Sequence, residues 1–333
     1  MMEYQEFKKV VEEQLKEYVP EPYRSMEWDS HKVEKVNQTL DAINFRSTES
    51  GMSVSPTVYI NTMYEQYKNG EQIDDILRDV AGVIVRAVKE KDKIIPDLDF
   101  ENAKDNIVFQ LINTEQNKEM LEHVPHREFQ DLSIIYRWVV NRNDEGLASI
   151  LIKDNVAKQL GLSENQLFDA AKENTKKLLP IAVRPMGEVL MDIMMKDGMP
   201  CELAEIMLNT LPAKKQMYVI SNEIGVNGAS AMLYEEGLEE LSNIFESDIY
   251  IMPSSVHECI AISSELGDPN ELAEMVESIN MDQVELKDRL SNQVYFYDKE
   301  TKQVSLASNN PNKRLDGMVA ETNGSYDIDG PSR

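Results

Sequence analysis

The sequence predicts an α+β protein in which mainly antiparallel sheets carry helices packed on one face and the chain forms two modules. Strand-like segments come in adjacent pairs joined by polar turns, whereas a doubly wound parallel sheet needs a helix between successive strands. Helical periodicity of apolar residues occurs between these pairs. A charged segment at residues 89–93 divides the 333-residue chain, whose length is compatible with two domains of about 100–200 residues each.

The predicted N-terminal module spans residues 1–93. A helix over Tyr4–Tyr18 has apolar residues every three or four positions, and two prolines follow it. The β-prone segments Val33–Phe45 and Thr57–Ile60 are separated by a polar loop and predict a hairpin. The clearest helical period of the chain covers Gln72–Lys89. We expect this helix to cover the small sheet.

The predicted C-terminal domain spans residues 94–307. It begins with a strand over Ile107–Ile112 and a short helix over Glu115–Glu122. The apolar segments Leu132–Val140 and Leu147–Ile152 are joined by a polar loop that ends in glycine. This pattern predicts a hairpin.

Two helices are expected after this hairpin. Ser163 is placed to cap the first, and the second contains Val189 and ends at Gly198. Seven of the 18 methionines lie between Met186 and Met217. We interpret them as an adaptable core, with a plastic apolar groove as the alternative.

The next segment predicts a strand, a glycine loop and a helix. Tyr218–Ile220 is a short apolar segment followed by a polar break with two glycines. From Ala229 to Phe245 apolar residues recur at steps of three and four, which indicates one amphipathic helix. Asn227 or Ser230 is positioned to cap it.

The remaining elements complete a β-α-β-β-α-β-β order. Ile249–Met252 and Val256–Ile262 flank a turn and predict a hairpin with a buried central strand. A helix begins near Pro269. Its expected buried face carries Leu272, Met275, Val276 and Ile279. Val294–Tyr297 and Val304–Leu306 then form a last strand pair around a polar loop.

Composition predicts a soluble, cytoplasmic protein. The N-terminus lacks the basic-then-apolar order of a signal peptide, and no apolar run approaches the ~18 residues that a membrane helix needs. Cys201 and Cys259 are too few for a disulfide framework or a four-cysteine metal site. From Ser308 to Arg333 no apolar periodicity remains, so we expect a disordered tail. No cofactor is expected, and the oligomeric state stays open.

The net charge of −26 is unevenly distributed. Between Glu223 and Arg289 there are 16 acidic and two basic residues, a net charge of −14. A solvated face that aids solubility is the plainer interpretation, and a docking surface for a basic protein is the alternative. The docking residues would be Glu235, Glu239, Glu246, Glu271, Glu274 and Glu277. Direct nucleic-acid binding is not expected, because phosphate contacts need clustered Lys and Arg.

One candidate catalytic group lies at the predicted turn of the central hairpin. Ser254, Ser255, His257 and Glu258 bring hydroxyl, imidazole and carboxylate groups close in sequence. Catalysis would require these groups to be oriented toward one another. Strand alternation points Glu258 away from the face of His257. The preferred interpretation is therefore turn-capping serines and a partly buried histidine.

A second candidate group surrounds His126. His123 and His126 are three residues apart and lie near Glu122, Glu128 and Asp131, which together offer nitrogen and oxygen ligands for a metal. Pro125 argues against a helix that would place both rings on one face. A histidine that fixes the loop before the next strand is preferred, and no metal is expected.

The glycine loop is a third candidate. Gly225, Asn227 and Gly228 lie between a strand and a helix, where free N–H groups can bind an anion. The loop has neither a Gly-Lys-Ser/Thr motif nor G-x-G-x-x-G, and Glu223 and Glu235 would repel phosphate. Ligand binding here is the alternative to a plain turn.

Several short motifs suggest a family relationship. They are Val124-Pro125-His126 with Phe129 and Asp131-Leu132, Glu173-Asn174-Thr175, Tyr218-Val219-Ile220-Ser221-Asn222 with Gly228-Ala229, and Pro253-Ser254-Ser255 with His257-Glu258. In these motifs the chain resembles a bacterial family known only as domain of unknown function 5688, over most of its length up to about Leu306. The resemblance implies no activity, cofactor or catalytic residue.

Three functional classes follow from these observations. A non-enzymatic binding or regulatory protein with an acidic docking face is favoured, because no complete catalytic motif is present. The first alternative is a hydrolase or metal-dependent enzyme that uses His126, His257 and nearby acids. The second is an acidic mimic of nucleic acid that occupies a basic protein.

Overall fold

The computed structural model describes residues 1–46, 57–89, 100–143, 146–199, 211–310 and 314–317. The chain divides into two compact units, Met1–Asp99 and Phe100–Arg333. The described residues form ten α-helices and 13 strands, and every strand pair is antiparallel. The predicted α+β class is confirmed. The predicted module boundary between residues 93 and 94 lies outside the described residues.

The N-terminal unit contains a three-stranded sheet with the order β1–β2–β3. Its elements are α1 (Tyr4–Tyr18), α2 (Glu21–Arg24), β1 (Glu27–Lys35), β2 (Gln38–Arg46), β3 (Thr57–Tyr59), α3 (Ile60–Lys68) and α4 (Ile73–Lys89). Apolar side chains of α1, α3 and α4 form one core with Ile43 and Phe45 of β2. The amphipathic patterns of α1 and α4 therefore predicted both helices correctly.

The predicted β segment Val33–Phe45 contains a turn that the sequence pattern did not indicate. Lys35 pairs with Gln38, so β1 and β2 form a hairpin with a two-residue loop. Asn37 in this loop has a φ of 62°, a left-handed conformation that asparagine tolerates. The hairpin with the Thr57 segment is present as the β2–β3 pair. Its connecting residues 47–56 lie outside the described residues.

The first sheet of the C-terminal unit has four strands. They are β4 (Ile107–Asn113), β5 (His126–Phe129), β6 (Leu132–Asn143) and β7 (Gly146–Leu151). Strand β6 pairs with the other three, which confirms the predicted β6–β7 hairpin. The helices of this part are α5 (Lys118–Leu121), α6 (Asp154–Leu160) and α7 (Glu164–Leu178).

Helix α7 covers strand β4. Ser163 caps it as predicted, in a reciprocal capping box with Gln166. The rings of Phe109 and Phe168 lie 5.3 Å apart, and the Phe109 N–H donates to Thr175 Oγ1 at 3.0 Å. The cap thus fixes where this helix begins, and the contacts with Phe109 fix which face of it packs on β4.

The second sheet of the C-terminal unit has six strands in the order β13–β12–β10–β11–β9–β8. They are β8 (Ile181–Pro185), β9 (Tyr218–Asn222), β10 (Ile249–Met252), β11 (Cys259–Ser263), β12 (Tyr295–Asp298) and β13 (Gln303–Leu306). The helices of this part are α8 (Met186–Lys196), α9 (Glu235–Phe245) and α10 (Pro269–Gln283). The predicted β-α-β-β-α-β-β order is confirmed. Strand β8 was not predicted. It ends at Pro185 and lies at the edge of the sheet, where the missing N–H of a proline is tolerated.

The predicted helix from Ala229 to Phe245 is two elements. A 3₁₀-helix covers Gly228–Leu233, and α9 begins after Tyr234, whose backbone is extended. Asn227 adopts a left-handed conformation and makes no side-chain cap. The first five residues of the 3₁₀-helix are buried. This segment therefore lacks the solvated face that an amphipathic surface helix has.

The buried face of α10 differs from the predicted one. Ala273, Val276 and Asn280 are buried, whereas Met275 and Ile279 are each 46% exposed. The Asn280 amide Nδ2 donates to the Ser291 carbonyl oxygen at 3.1 Å and to Asn292 Oδ1 at 2.9 Å. These hydrogen bonds satisfy a buried polar group, and they favour a helix rotation that leaves two apolar residues outside.

The methionine-rich segment is not a core where it is described. Helix α8 has no buried residue, so the predicted adaptable core is wrong for this helix. Met207 and Cys201 lie outside the described residues, while Cys259 is buried as predicted.

Part of the predicted C-terminal tail contacts the C-terminal unit. Leu315 is fully buried, and its carbonyl oxygen accepts a hydrogen bond from Arg289 Nη1 at 2.6 Å. Ser308 is also buried. Residues 311–313 and 318–333 lie outside the described residues. No helix in the described part of the chain is long and apolar enough to cross a membrane.

Candidate functional site

Two of the predicted candidate groups meet at one place. The Asn227 N–H of the glycine loop donates to His257 Nδ1 at 3.2 Å, and the Ala229 N–H donates to the Val256 carbonyl oxygen at 3.2 Å. The Ser221 hydroxyl donates to the His257 carbonyl oxygen at 2.7 Å. The glycine loop and the turn before β11 therefore form one cluster. We call it the His257 cluster.

The glycine loop is held by Asn222 at the end of β9. Its side-chain Oδ1 accepts hydrogen bonds from the N–H groups of Ile224 and Gly225, at 3.0 and 2.8 Å. Its Nδ2 donates to the Val226 carbonyl oxygen at 2.9 Å. An asparagine side chain that bonds the backbone two and three residues later stabilises a turn. This turn brings Asn227 to the histidine.

Both ring nitrogens of His257 are engaged. Nδ1 accepts the Asn227 N–H, so the proton of the neutral ring lies on Nε2. Nε2 is 3.4 Å from Asp288 Oδ1, which can accept that proton in a hydrogen bond. A general base needs a lone pair aimed at its substrate, and this arrangement uses the lone pair of His257 for the loop. The imidazole thus contacts the backbone of the glycine loop on one side and the side chain of Asp288 on the other.

The other candidate groups at this turn bond to the backbone. Ser255 Oγ accepts the His257 N–H at 3.0 Å, and the Ser254 hydroxyl donates to the Glu258 carbonyl oxygen at 3.4 Å. The Glu258 side chain is exposed. The described hydrogen bonds of these residues form a turn, and they do not connect a serine hydroxyl to the histidine ring.

The His126 and Asp131 candidates lie in different surroundings. His126 is on β5, with Nδ1 2.9 Å from the Val124 carbonyl oxygen. Asp131 accepts hydrogen bonds from the Ser291 hydroxyl at 2.7 Å and from the Tyr295 hydroxyl. Burial raises the pKa of Tyr295 well above its usual value, and the Asp131 carboxylate adds to this effect. Asp131 thus connects the turn before β6 to Tyr295 of strand β12 and to Ser291 in the segment that precedes this strand.

The described residues contain no group of three or more His, Cys, Asp or Glu side chains that could hold a metal ion. His126 bonds to the Val124 carbonyl oxygen, whereas Asp131 accepts hydrogen bonds from the Ser291 and Tyr295 hydroxyls.

A charged cluster that the sequence did not reveal lies between β5 and α7. Arg127 Nε and Nη2 donate to the two carboxylate oxygens of Glu164 at 3.2 and 2.9 Å, and the Tyr136 hydroxyl donates to the same carboxylate at 2.5 Å. The Arg127 guanidinium also lies 3.7 Å from the centre of the Phe168 ring. Burial would raise the pKa of Glu164, but the hydrogen bonds from Arg127 and Tyr136 outweigh it and lower the pKa.

This lowered pKa predicts a pH-dependent contribution to stability. A carboxylate whose pKa falls on folding stabilises the protein above its unfolded pKa of about 4.3, and this stabilisation is lost as the pH falls through the folded pKa. We expect Glu164→Gln to lower the free energy of unfolding by about 1 kcal/mol at neutral pH. The difference from wild type should shrink below a pH of about 4.

Urea unfolding at neutral and acidic pH measures this difference. The matched control is Glu128→Gln, which changes an exposed glutamate on the neighbouring strand. A Glu164→Gln effect of the same size at both pH values would contradict the prediction.

The acidic residues of α9 are partly neutralised by lysines. Lys302 Nζ lies 3.2 Å from Glu235 Oε1 and 2.9 Å from Glu239 Oε2. Lys214 Nζ lies 3.3 Å from Glu246. Both lysines lie outside the acid-rich sequence segment, so a count over that segment overstates the free negative charge of this helix.

The acidic residues of α10 differ from those of α9. Asp268 caps the helix by accepting the N–H groups of Asn270 and Glu271. Glu277 accepts a hydrogen bond from Asn310 Nδ2 at 2.7 Å. Glu271 and Glu274 are exposed, and in the described part of the chain their carboxylates have no cationic partner. Free negative charge therefore concentrates on α10.

Fold and site together define an α+β protein of two units whose C-terminal unit carries two acidic helices. The chain belongs to the Family of unknown function (DUF5688), whose model matches residues 4–299. This match confirms the resemblance seen in the short motifs. No curated protein and no solved structure matches the chain.

Proposed function

We propose that this protein is a non-enzymatic binding protein whose acidic helices dock a basic protein. One observation carries the proposal: neither α9 nor α10 contains a lysine or an arginine. Their exposed carboxylates are aligned along helix surfaces rather than gathered in a pocket. A field of one sign speeds the encounter with an oppositely charged partner, and it acts over about 8 Å at physiological ionic strength.

The surroundings of the two candidate histidines support binding over the hydrolase or metal-enzyme alternative. The His257 ring accepts a backbone N–H of the glycine loop, His126 bonds to a backbone carbonyl oxygen, and Asp131 accepts the Ser291 hydroxyl. The alternative of a nucleic-acid mimic shares the acidic surface, but it requires a partner that itself binds nucleic acid. The identity of the captured partner therefore separates these two forms of acidic docking.

Replacing the six predicted docking residues with glutamine tests the proposal. The residues are Glu235, Glu239, Glu246, Glu271, Glu274 and Glu277. Wild type immobilised at low salt should capture basic proteins from a cell lysate, and the variant should lose them. With a purified partner the association rate should fall about tenfold at low salt and less at high salt, because exposed charges mainly steer encounter.

A variant with six neutralised exposed acids in the N-terminal unit, four glutamates and two aspartates, provides the charge-matched control. The residues are Glu3, Glu6, Glu13, Glu17, Asp75 and Asp79, with the aspartates changed to asparagine. Equal losses for both variants would show a non-specific effect of net charge. Capture that is unchanged by the first variant would contradict acidic docking.

A further inference from the structure

The outward face of α10 combines exposed apolar and acidic side chains in two adjacent rows. Glu271, Met275 and Ile279 follow one another at steps of four and form the first row. Glu274, Ser278 and Asp282 form the second row at the same spacing. Met275 and Ile279 are each 46% exposed. A helix of this kind normally turns its large apolar residues toward a core.

The protein's own chain occupies the other sides of α10. Ala273, Val276 and Asn280 are buried against the unit. Glu277 is bonded by Asn310, and the Met281 carbonyl oxygen and sulfur accept hydrogen bonds from Arg289. Among the described residues, the exposed side of α10 therefore carries the two rows and, beside them, Met281, which is 42% exposed.

The carboxylates on this exposed face are also not neutralised by lysine or arginine among the described residues. Glu271, Glu274 and Asp282 have no cationic partner within the described residues, whereas Lys302 and Lys214 pair with the glutamates of α9. An exposed apolar row beside three unpaired carboxylates is complementary to a helix with an apolar stripe flanked by Lys or Arg. Such a partner would cover Met275 and Ile279 and place its cations near the carboxylates.

We propose that this face of α10 binds an amphipathic, lysine- or arginine-flanked helix of a partner protein. The inference rests on the proposed docking of a basic protein and narrows the contact to one helix. Apolar burial supplies affinity, and the carboxylates fix the orientation and speed association. The α9 glutamates contribute to the general field only.

A synthetic peptide that forms a helix with leucines on one face and flanking lysines serves as the probe. Its binding to the full-length protein is measured by fluorescence anisotropy, and its association rate by stopped flow. Met275→Ser with Ile279→Ser should weaken binding about tenfold or more, because each side chain would lose its burial. The control is Leu190→Ser with Ile193→Ser, which removes two exposed apolar residues from α8.

A second pair of variants tests the charges. Glu271→Gln, Glu274→Gln and Asp282→Asn on α10 should slow association about tenfold at low salt. Glu235→Gln and Glu239→Gln on α9, with Glu246→Gln at the C-cap that follows it, remove the same net charge and should slow it much less. All these residues are exposed at the surface, and thermal unfolding of each variant checks that the fold is retained.

The outcomes separate this inference from the proposed function. Weaker binding of the α10 variants with near wild-type binding of both controls supports the inference. Equal weakening by the α9 and α10 charge variants, with no effect of the Met275 and Ile279 changes, overturns the inference and leaves acidic docking in place. Failure of wild type to bind the peptide overturns both.

Discussion

Replacing Asp131 with alanine will lower the free energy of unfolding of the C-terminal unit by about 3 kcal/mol. The Asp131 carboxylate accepts the hydroxyl protons of Tyr295 and Ser291, and both of these residues are fully buried. Removal of the carboxylate takes the acceptor away from two buried hydroxyl donors. Each buried unsatisfied group costs about 1–3 kcal/mol.

Tyr295→Phe provides the companion measurement. It removes one donor and leaves the carboxylate bonded to Ser291, so we expect a smaller loss of about 1 kcal/mol. The double variant should be more stable than the sum of the two losses predicts, because the two groups interact directly. Additive losses would contradict the hydrogen bond as the cause.

Chemical denaturation followed by tryptophan fluorescence provides the readout. The protein has two tryptophans, Trp28 in the N-terminal unit and Trp138 on β6. In a Trp28→Phe background the fluorescence reports the C-terminal unit alone. Asp105→Ala, which changes an exposed aspartate of the same unit, is the control and should have little effect.

Gly228→Ala should destabilise the C-terminal unit by about 3 kcal/mol, at the upper end of the cost of overpacking. A Cβ at this position would lie 2.1 Å from Ser221 Oγ, 2.4 Å from the His257 carbonyl oxygen and 2.8 Å from the Asn222 nitrogen. Two of these atoms belong to the backbone, so rotation of a side chain cannot relieve the clash. The glycine loop must move away from the His257 turn.

The tautomer of the His257 ring provides a specific readout for this variant. Loss of the Asn227 hydrogen bond should free Nδ1, which NMR of the imidazole nitrogens can detect as a mixture of tautomers. Ser221→Ala in the same chain should restore little stability, because the backbone contacts remain. Gly187→Ala is the matched control: a Cβ there meets nothing within 4 Å, and the residue is helical. A Gly228→Ala protein as stable as this control would contradict the close packing.

The two acidic helices show how tertiary contacts change the meaning of a charge pattern. The sequence indicated one acidic segment, and the prediction gave its six docking glutamates the same role. Lys302 and Lys214 then pair with the glutamates of α9, whereas Glu271 and Glu274 stay unpaired among the described residues. Under the proposed docking, α10 therefore offers more unpaired carboxylates to a basic partner than α9 does.

The sequence by itself determined the features that depend on neighbouring residues. The apolar periodicity of α1 and α4, the Ser163 cap and the hairpins β6–β7, β10–β11 and β12–β13 were predicted, and they established the α+β class. These signals are local, because a helical stripe or a cap involves residues three or four positions apart. The short motifs likewise indicated the family.

Only the tertiary structure decided which distant residues meet. It placed Asn227 against His257 and Asp131 against Tyr295, and it turned α10 so that Asn280 is buried and Met275 is exposed. Such contacts depend on strand order, on the register of pairing and on the need to satisfy buried polar groups. Residue spacing along the chain does not encode these quantities, so the candidate groups could be named from the sequence but their arrangement could not.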